Sequence, residues 1–314
     1  MELPTGAQTA EQTLASLRRK GTVSDRVIMV ICLLATTLTL TLTFGILYFL
    51  LIEASRFFLE PGFDLREFFT ATVWQPVAGR IGVLPLVLAS IQVVGIAMLF
   101  ALPLGFLLSF FLYEYASPRL RRGARAFLEV IASVPTVVFG YFALSFVTPA
   151  LRTIFGAEVV SIYNLLSAGL VVGLLVLPLV ASLGLDALMA VPPYLKDGPF
   201  GVGARRTQAF LKGILPAAAP DLLVAGLSAA SRAIGESVIV SLAAGIGPNL
   251  TFNPFESAET MTGYILRIAQ GTISRGTIDY SSLFAVGILL FLFTLLLNIT
   301  SEFIARRGFN RSDR

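Results

Sequence analysis

Arg232 and Glu236 stand four residues apart in the stretch Ser231-Arg232-Ala233-Ile234-Gly235-Glu236-Ser237, between the apolar runs DLLVAGLSAA and VIVSLAAGIG. The spacing predicts that both lie on one face of a helix. Each charge costs at least about 2.5–3.5 kcal/mol at the centre of a bilayer. Two chemistries fit such a pair. In the first, the side chains neutralise each other and so survive burial. In the second, the guanidinium is a station for a tetrahedral oxyanion, because its planar, permanently charged fork matches the anion's oxygens. Glu236 would then compete for the fork and keep the anion from being held too tightly. Ser231 and Ser237 offer hydroxyl donors beside it, and the small residues around them allow close helix packing and a narrow pathway.

Other chemistries are excluded by what the chain lacks. It has no histidine, and Cys32 is its only cysteine. That removes most zinc, haem and iron–sulfur sites, every Ser-His-Asp or Cys-His arrangement, and any intrachain disulfide. No metal or cofactor site is expected. Cys32 reads as a small packed hydrophobe within the first apolar run. The only lysines, Lys20, Lys196 and Lys212, are followed by Gly, Asp and Gly. None completes the Gly-x4-Gly-Lys-Ser/Thr loop that cradles nucleotide phosphates.

The elements that must hold Arg232 are membrane helices. Hydrophobic residues make up 56% of the chain and charged ones 13%, against about 25% charged in soluble domains. Several apolar windows exceed the roughly 18 residues that mark a spanning helix. The reading is an all-α polytopic membrane protein with six spans, at about 27–52, 86–112, 126–150, 164–190, 221–246 and 284–305. The first is too long for a cleaved signal and lacks an A-x-A site, so it is expected to be a retained anchor. Pro103, Pro135 and Pro178 fall inside spans and read as kinks. Trp74 and the many phenylalanines read as interface anchors and lipid-facing surface. Glu129 and Asp186, near the inner face, read as snorkelling or paired with a nearby arginine.

Basic residues set the orientation. With the N-terminus inside, 16 of the 23 Lys and Arg fall on the cytoplasmic side and 6 outside, with Arg232 left over. This bias predicts cytoplasmic termini and accounts for a pI near 9.4 without nucleic acid. The expected organisation is a cytoplasmic segment over 1–26, a transmembrane domain over 27–305 and a cytoplasmic tail over 306–314. The inside loop at 191–220, VPPYLKDGPFGVGARRTQAFLKGILPAAAP, is the longest polar interruption on that side. Its glycines and prolines separate helical pieces, which fits a helix–turn–helix along the membrane surface. A basic loop held to anionic lipid fits it equally well.

This loop is similar to the coupling loop of ABC importer permeases, E-A-A-x3-G-x9-I-x-L-P. Gly203 and Leu215-Pro216 match in spacing, while Asp197-Gly198-Pro199 stands where Glu-Ala-Ala is usual and Gly213 where Ile is usual. The stretches LPLVLASIQVVGIAMLFALPLGFLLSFFLYEYASPRLRR, ASVPTVVFGYFALSFVTP, SRAIGES with LAAGIGPNLTFNP, and FAVGILLFLFTLLLN resemble the PstC-type permeases of phosphate ABC transporters, from about residue 25 to 307. The resemblance implies a type I, MetI-like permease of the bacterial inner membrane with no catalysis of its own. It implies Arg232, Glu236, Ser231 and Ser237 in the substrate pathway. It also implies an ATPase-coupling loop built on Asp197, Gly203, Ala204, Arg205, Leu215 and Pro216. The implied partners are a homologous PstA-type permease, a PstB-type ATPase dimer, a soluble phosphate-binding protein, inorganic phosphate and membrane lipid. A permease for sulfate, molybdate or phosphonate, a stand-alone secondary phosphate transporter, and a membrane scaffold without transport remain as alternatives. Of these, the scaffold leaves Arg232 unexplained.

Overall fold

The computed structural model describes residues 23–201, 203–271, 274 and 276–312. Most of the 1–26 segment and the end of the 306–314 tail therefore lie outside the described residues. By compactness the chain divides into a unit ending at Ile52 and a second running from Glu53. Helix α1, Val23–Phe58, begins in the first unit. There its side chains are almost all exposed, as an apolar helix without a water-facing side would be. Thr36, Thr39, Thr41 and Thr43 each donate a hydroxyl proton to the carbonyl four residues earlier, at 2.8–2.9 Å. Those polar groups are thus satisfied within the helix, as a hydrocarbon surround requires. Cys32 is exposed on this helix rather than packed.

The second unit is built around two long helices, α3 (Leu84–Glu114) and α7 (Leu165–Ala190). They approach closely because α7 presents glycine at the contact. A Cβ at Gly169 would lie 2.7 Å from Ile96 Cβ, and one at Gly173 2.9 Å from the Ala97 carbonyl. This Gly-x-x-x-Gly stripe exchanges side-chain bulk for backbone contact, the packing available where lipid provides no hydrophobic drive between helices. Ser109 Oγ adds a hydrogen bond to the Ala181 carbonyl at 2.9 Å. Helices α5 (Thr136–Phe142), α10 (Leu215–Ile234) and α11 (Val238–Ala243) close the core around them.

A second core holds α2 (Leu65–Thr70), the two-residue strands β1 (Trp74–Gln75) and β2 (Arg80–Ile81), α12 (Met261–Gln270) and α13 (Ile278–Ser312). Phe57, Phe68, Trp74 and Tyr264 meet there at ring-centroid distances of 5.6–6.2 Å. Trp74 is therefore a buried core residue and not an interface anchor.

Six helical stretches are long and apolar enough to cross a membrane: Asp25–Phe58, Leu84–Glu114, Thr136–Phe155, Leu165–Ala190, Arg206–Ile234 and Ile278–Arg306. Two differ from expectation. The third begins at Thr136 instead of 126, because Pro135 interrupts the chain after a separate helix α4, Pro118–Ala132. Helix α4 is strongly amphipathic, and Arg121 at its start donates to the Leu112 and Tyr113 carbonyls at the end of α3, both at 2.9 Å. Pro103 and Pro178, by contrast, stay inside their helices. The third span continues through a π turn, Ala143–Val147, into α6, Thr148–Phe155. The fifth span stops at Ile234, not at 246, and this break reshapes the site.

Candidate functional site

Helix α10 ends with Gly235 as its C-cap, and α11 starts three residues further on at Val238. Arg232 lies on the last turn of α10, whereas Glu236 lies beyond it. The expectation of one shared helical face is therefore overturned. Glu236 Oε1 instead accepts the backbone N–H groups of Val238 and Ile239, at 3.0 and 3.2 Å. These are donors left without partners at a helix start. A carboxylate there is favoured both by the hydrogen bonds and by the helix dipole. Ser237 takes part through its backbone, accepting the Ser241 hydroxyl at 2.7 Å. Ser231 makes no side-chain hydrogen bond among the described residues.

Arg232 is exposed and, among the described residues, makes no ion pair. It lines a pocket of about 150 Å³ with Arg125 and Glu129 of α4 and Leu175, Pro178 and Ser182 of α7. Pro178 is the fourteenth of the 26 residues of α7. At 1.5 Å per residue that helix is roughly 39 Å long, so the pocket that Arg232 lines lies beside the middle of α7. Sequence spacing missed Arg125 and Glu129 because they are about a hundred residues away on a helix merged with the third span. The only available signal was their own i,i+4 spacing of opposite charges. Arg125 is paired to Asp186, at 2.5 Å, which fits the expected pairing of that carboxylate.

Beyond the break the chain returns through a buried ion pair that the sequence did not disclose. Arg267 grips Glu259 with both ends of its fork, Nε to Oε1 at 2.6 Å and Nη2 to Oε2 at 3.0 Å. Glu259 is 1% exposed. The hydrogen bonds to Glu259 hold the Arg267 pKa above its usual value, against the effect of desolvation. The pair borders a cavity of about 550 Å³, shared with Val137, Ser241, Leu242 and Gln270.

The loop at 191–220 is a helix–turn–helix. Helix α8, Pro193–Gly201, contains Asp197-Gly198-Pro199, so Pro199 lies within the helix. Gly203 turns the chain at φ +80°, a conformation glycine adopts without penalty. Helix α9, Arg206–Ala209, follows, and a π turn at Phe210–Ile214 joins it to α10. Leu195 and Leu215 pack with Phe210, Ile214 and Leu188 at the root, while Asp197, Gly203 and Arg205 are exposed at the tip and Ala204 is half-buried. Pro216 opens α10 in its first turn, where proline is tolerated.

Six helices long enough to cross a membrane, a break beside Arg232, and a two-helix loop on a packed root fit a membrane permease. The chain belongs to the family described as binding-protein-dependent transport system inner membrane component, which matches residues 101–309. It is 29% identical over 291 residues to the probable ABC transporter permease protein YqgH of Bacillus subtilis, covering 91% of this chain and 92% of that protein. It is 27% identical to the phosphate transport system permease protein PstC of Haemophilus influenzae, covering 75% and 79%. It is 29% identical to the probable phosphate transport system permease protein PstC of Methanocaldococcus jannaschii, covering 78% and 82%. The fold matches a chain of the MetNI methionine ABC transporter in an inward-facing conformation, with a TM-score of 0.52 over 76% of this chain and 99% of that one, at 19% identity. It also matches a chain of a bacterial ABC transporter for alginate, with a TM-score of 0.60 over 90% and 96%, at 17% identity. The fold is thus that of ABC importer permeases.

Proposed function

We propose that this chain is the PstC-type subunit of an ATP-driven phosphate importer, and that Arg232 is the residue past which the anion moves. One observation carries the reading: beside the middle of α7 a guanidinium is exposed and, among the described residues, has no carboxylate at ion-pair distance. An unpaired charge at that depth is too costly to face lipid. It is retained where it meets water, a partner subunit or an anion. The phosphate-permease relatives and the stretch Arg-Ala-Ile-Gly-Glu favour phosphate among tetrahedral oxyanions. Glu236 supports the site by holding the start of α11 rather than by competing for the guanidinium.

The chain would form half of a pathway, with a homologous PstA-type permease forming the other half and a soluble phosphate-binding protein delivering the anion from outside. With both termini cytoplasmic, the α8–α9 turn faces the cytoplasm. Asp197, Gly203, Ala204 and Arg205 would there meet a PstB-type ATPase, with Leu215 and Pro216 fixing the root. The subunit would have no catalysis of its own, since it lacks a nucleotide-binding loop.

The test is uptake of radiolabelled phosphate by the complete complex, with sulfate and molybdate as competitors. Arg232→Gln should abolish uptake while the complex assembles and hydrolyses ATP. Arg232→Lys should restore only part of it, because an ammonium lacks the planar fork. Normal phosphate uptake by Arg232→Gln would overturn the reading, and uptake of sulfate in preference to phosphate would reassign the substrate.

A further inference from the structure

Four charged side chains from three helices follow one another with alternating sign. Asp186 near the end of α7 pairs with Arg125 of α4 at 2.5 Å. Glu129 lies one turn further along α4, and Arg125, Glu129 and Arg232 share the pocket of about 150 Å³ with Ser182. The quartet carries two positive and two negative charges, so without an anion it is neutral. Glu129, like Arg232, is exposed and makes no ion pair among the described residues.

We propose that Arg125 is a second anion contact, that Asp186 is the carboxylate an anion displaces there, and that Glu129 competes with the anion for the two arginines as it passes from Arg232 toward the end of α7. This rests on Arg232 being the first contact, as proposed above. A guanidinium binds an oxyanion and a carboxylate through the same fork, so each carboxylate competes with the passing anion for its neighbouring arginine. An anion leaving Arg232 meets Arg125 within the same pocket, and Glu129 can then engage the vacated arginine. The competition keeps each stop weak, which a conducting route needs if the anion is to leave as well as enter. Glu129 thereby takes the role the sequence assigned to Glu236, from a helix that approaches Arg232 only in the folded chain.

The test is binding of inorganic phosphate, followed by equilibrium dialysis, to the purified complex of both permeases and the ATPases without binding protein. Uptake by the complete complex is measured in parallel. Glu129→Gln and Asp186→Asn should bind phosphate about tenfold more tightly and transport it more slowly. Arg125→Gln should bind it more weakly and also transport it more slowly, with ATP hydrolysis retained. If the Arg125–Asp186 pair only holds α4 on α7, Arg125→Gln and Asp186→Asn should shift affinity in the same direction or not at all. That result overturns the proposal. Glu129→Gln removes no ion pair and decides the question if the Arg125 variants fail to assemble, and its binding at the parent affinity also overturns the proposal. Loss of binding in Arg232→Gln with parent behaviour in the other variants defeats the second contact and leaves the first standing. A parent complex that neither binds nor carries phosphate defeats both.

Discussion

Thr262 donates its hydroxyl proton to the carbonyl of Glu236 at 2.8 Å, joining the start of α12 to the break after α10. The carbonyl belongs to the residue whose side chain caps α11. One residue therefore ties the interruption both to α11 and to α12. The break beside Arg232 is fixed by hydrogen bonds as a built feature of the chain.

Glu236→Ala should cost about 0.5–2 kcal/mol, the range for a lost helix-start cap, while Glu236→Gln keeps an accepting oxygen and should cost less. Thermal unfolding of the purified complex reads the difference. Equal losses in the two variants would mean that the carboxylate's charge, and not its capping geometry, is what the site uses. Because Glu236 makes no ion pair with Arg232, adding Glu236→Gln to Arg232→Gln should not restore uptake.

Glu259→Gln should be the more damaging change. It leaves Arg267 without its bidentate partner, and breaking a buried pair typically costs about 3–5 kcal/mol. The Arg267 side chain is 39% exposed and can turn to water, so the lower end is expected. Replacing both residues, Glu259→Gln with Arg267→Gln, should recover part of the loss. Unfolding midpoints of the single and double variants measure the coupling, and additive effects would show that the pair contributes nothing.

At Gly203 no atom lies within 4 Å of an added Cβ, but φ is +80°. Gly203→Ala should therefore cost about 1 kcal/mol of backbone strain without a clash. It should weaken co-purification of the ATPase less than deletion of Phe200–Gly203 does. Unaltered ATPase association and uptake after the deletion would remove the turn from the coupling role.

Orientation is open to cysteine labelling in a Cys32→Ser background, since Cys32 is exposed on α1. Cysteines at Arg121 and Arg205 should resist an impermeant thiol reagent in intact cells, and one at Asp64 should react. Labelling at Arg205 from outside would invert the topology and remove the coupling assignment.

The burial of Tyr264 sets an alkaline limit. Its hydroxyl meets Ser282 Oγ at 2.7 Å, and burial raises its pKa above the ordinary value of 10.0. The unfolded chain then loses the proton first as pH rises. The stabilisation is complete below about pH 10 and is lost as pH climbs through the raised folded value. Tyr264→Phe should remove this alkaline fall in the unfolding midpoint, and an unchanged pH profile would argue against a buried neutral phenol.

Sequence by itself determined the all-helical membrane class, because runs such as Leu84–Glu114 and Leu165–Ala190 have no other way to satisfy their backbone in lipid. It also located the helix–turn–helix at 191–220, where glycine and proline punctuate the chain, and Arg232 as a charge out of place. What it could not supply was where helices stop. A hydropathy window smooths over Pro135 and Gly235, merging α4 with the third span and α10 with α11. Whether a proline stays inside a helix, as Pro103 and Pro178 do, or ends it, as Pro135 does, depends on which neighbours accept the freed backbone groups. The partners of the charges followed from those endings. Glu236 turned to the α11 backbone once α10 ended, Arg267 reached back along α12 to Glu259 just before its N-cap, and Arg125 and Glu129 met Arg232 through the packing of α4 on α7. Local spacing records which charges share a helix, and tertiary packing decides which of them share a pocket.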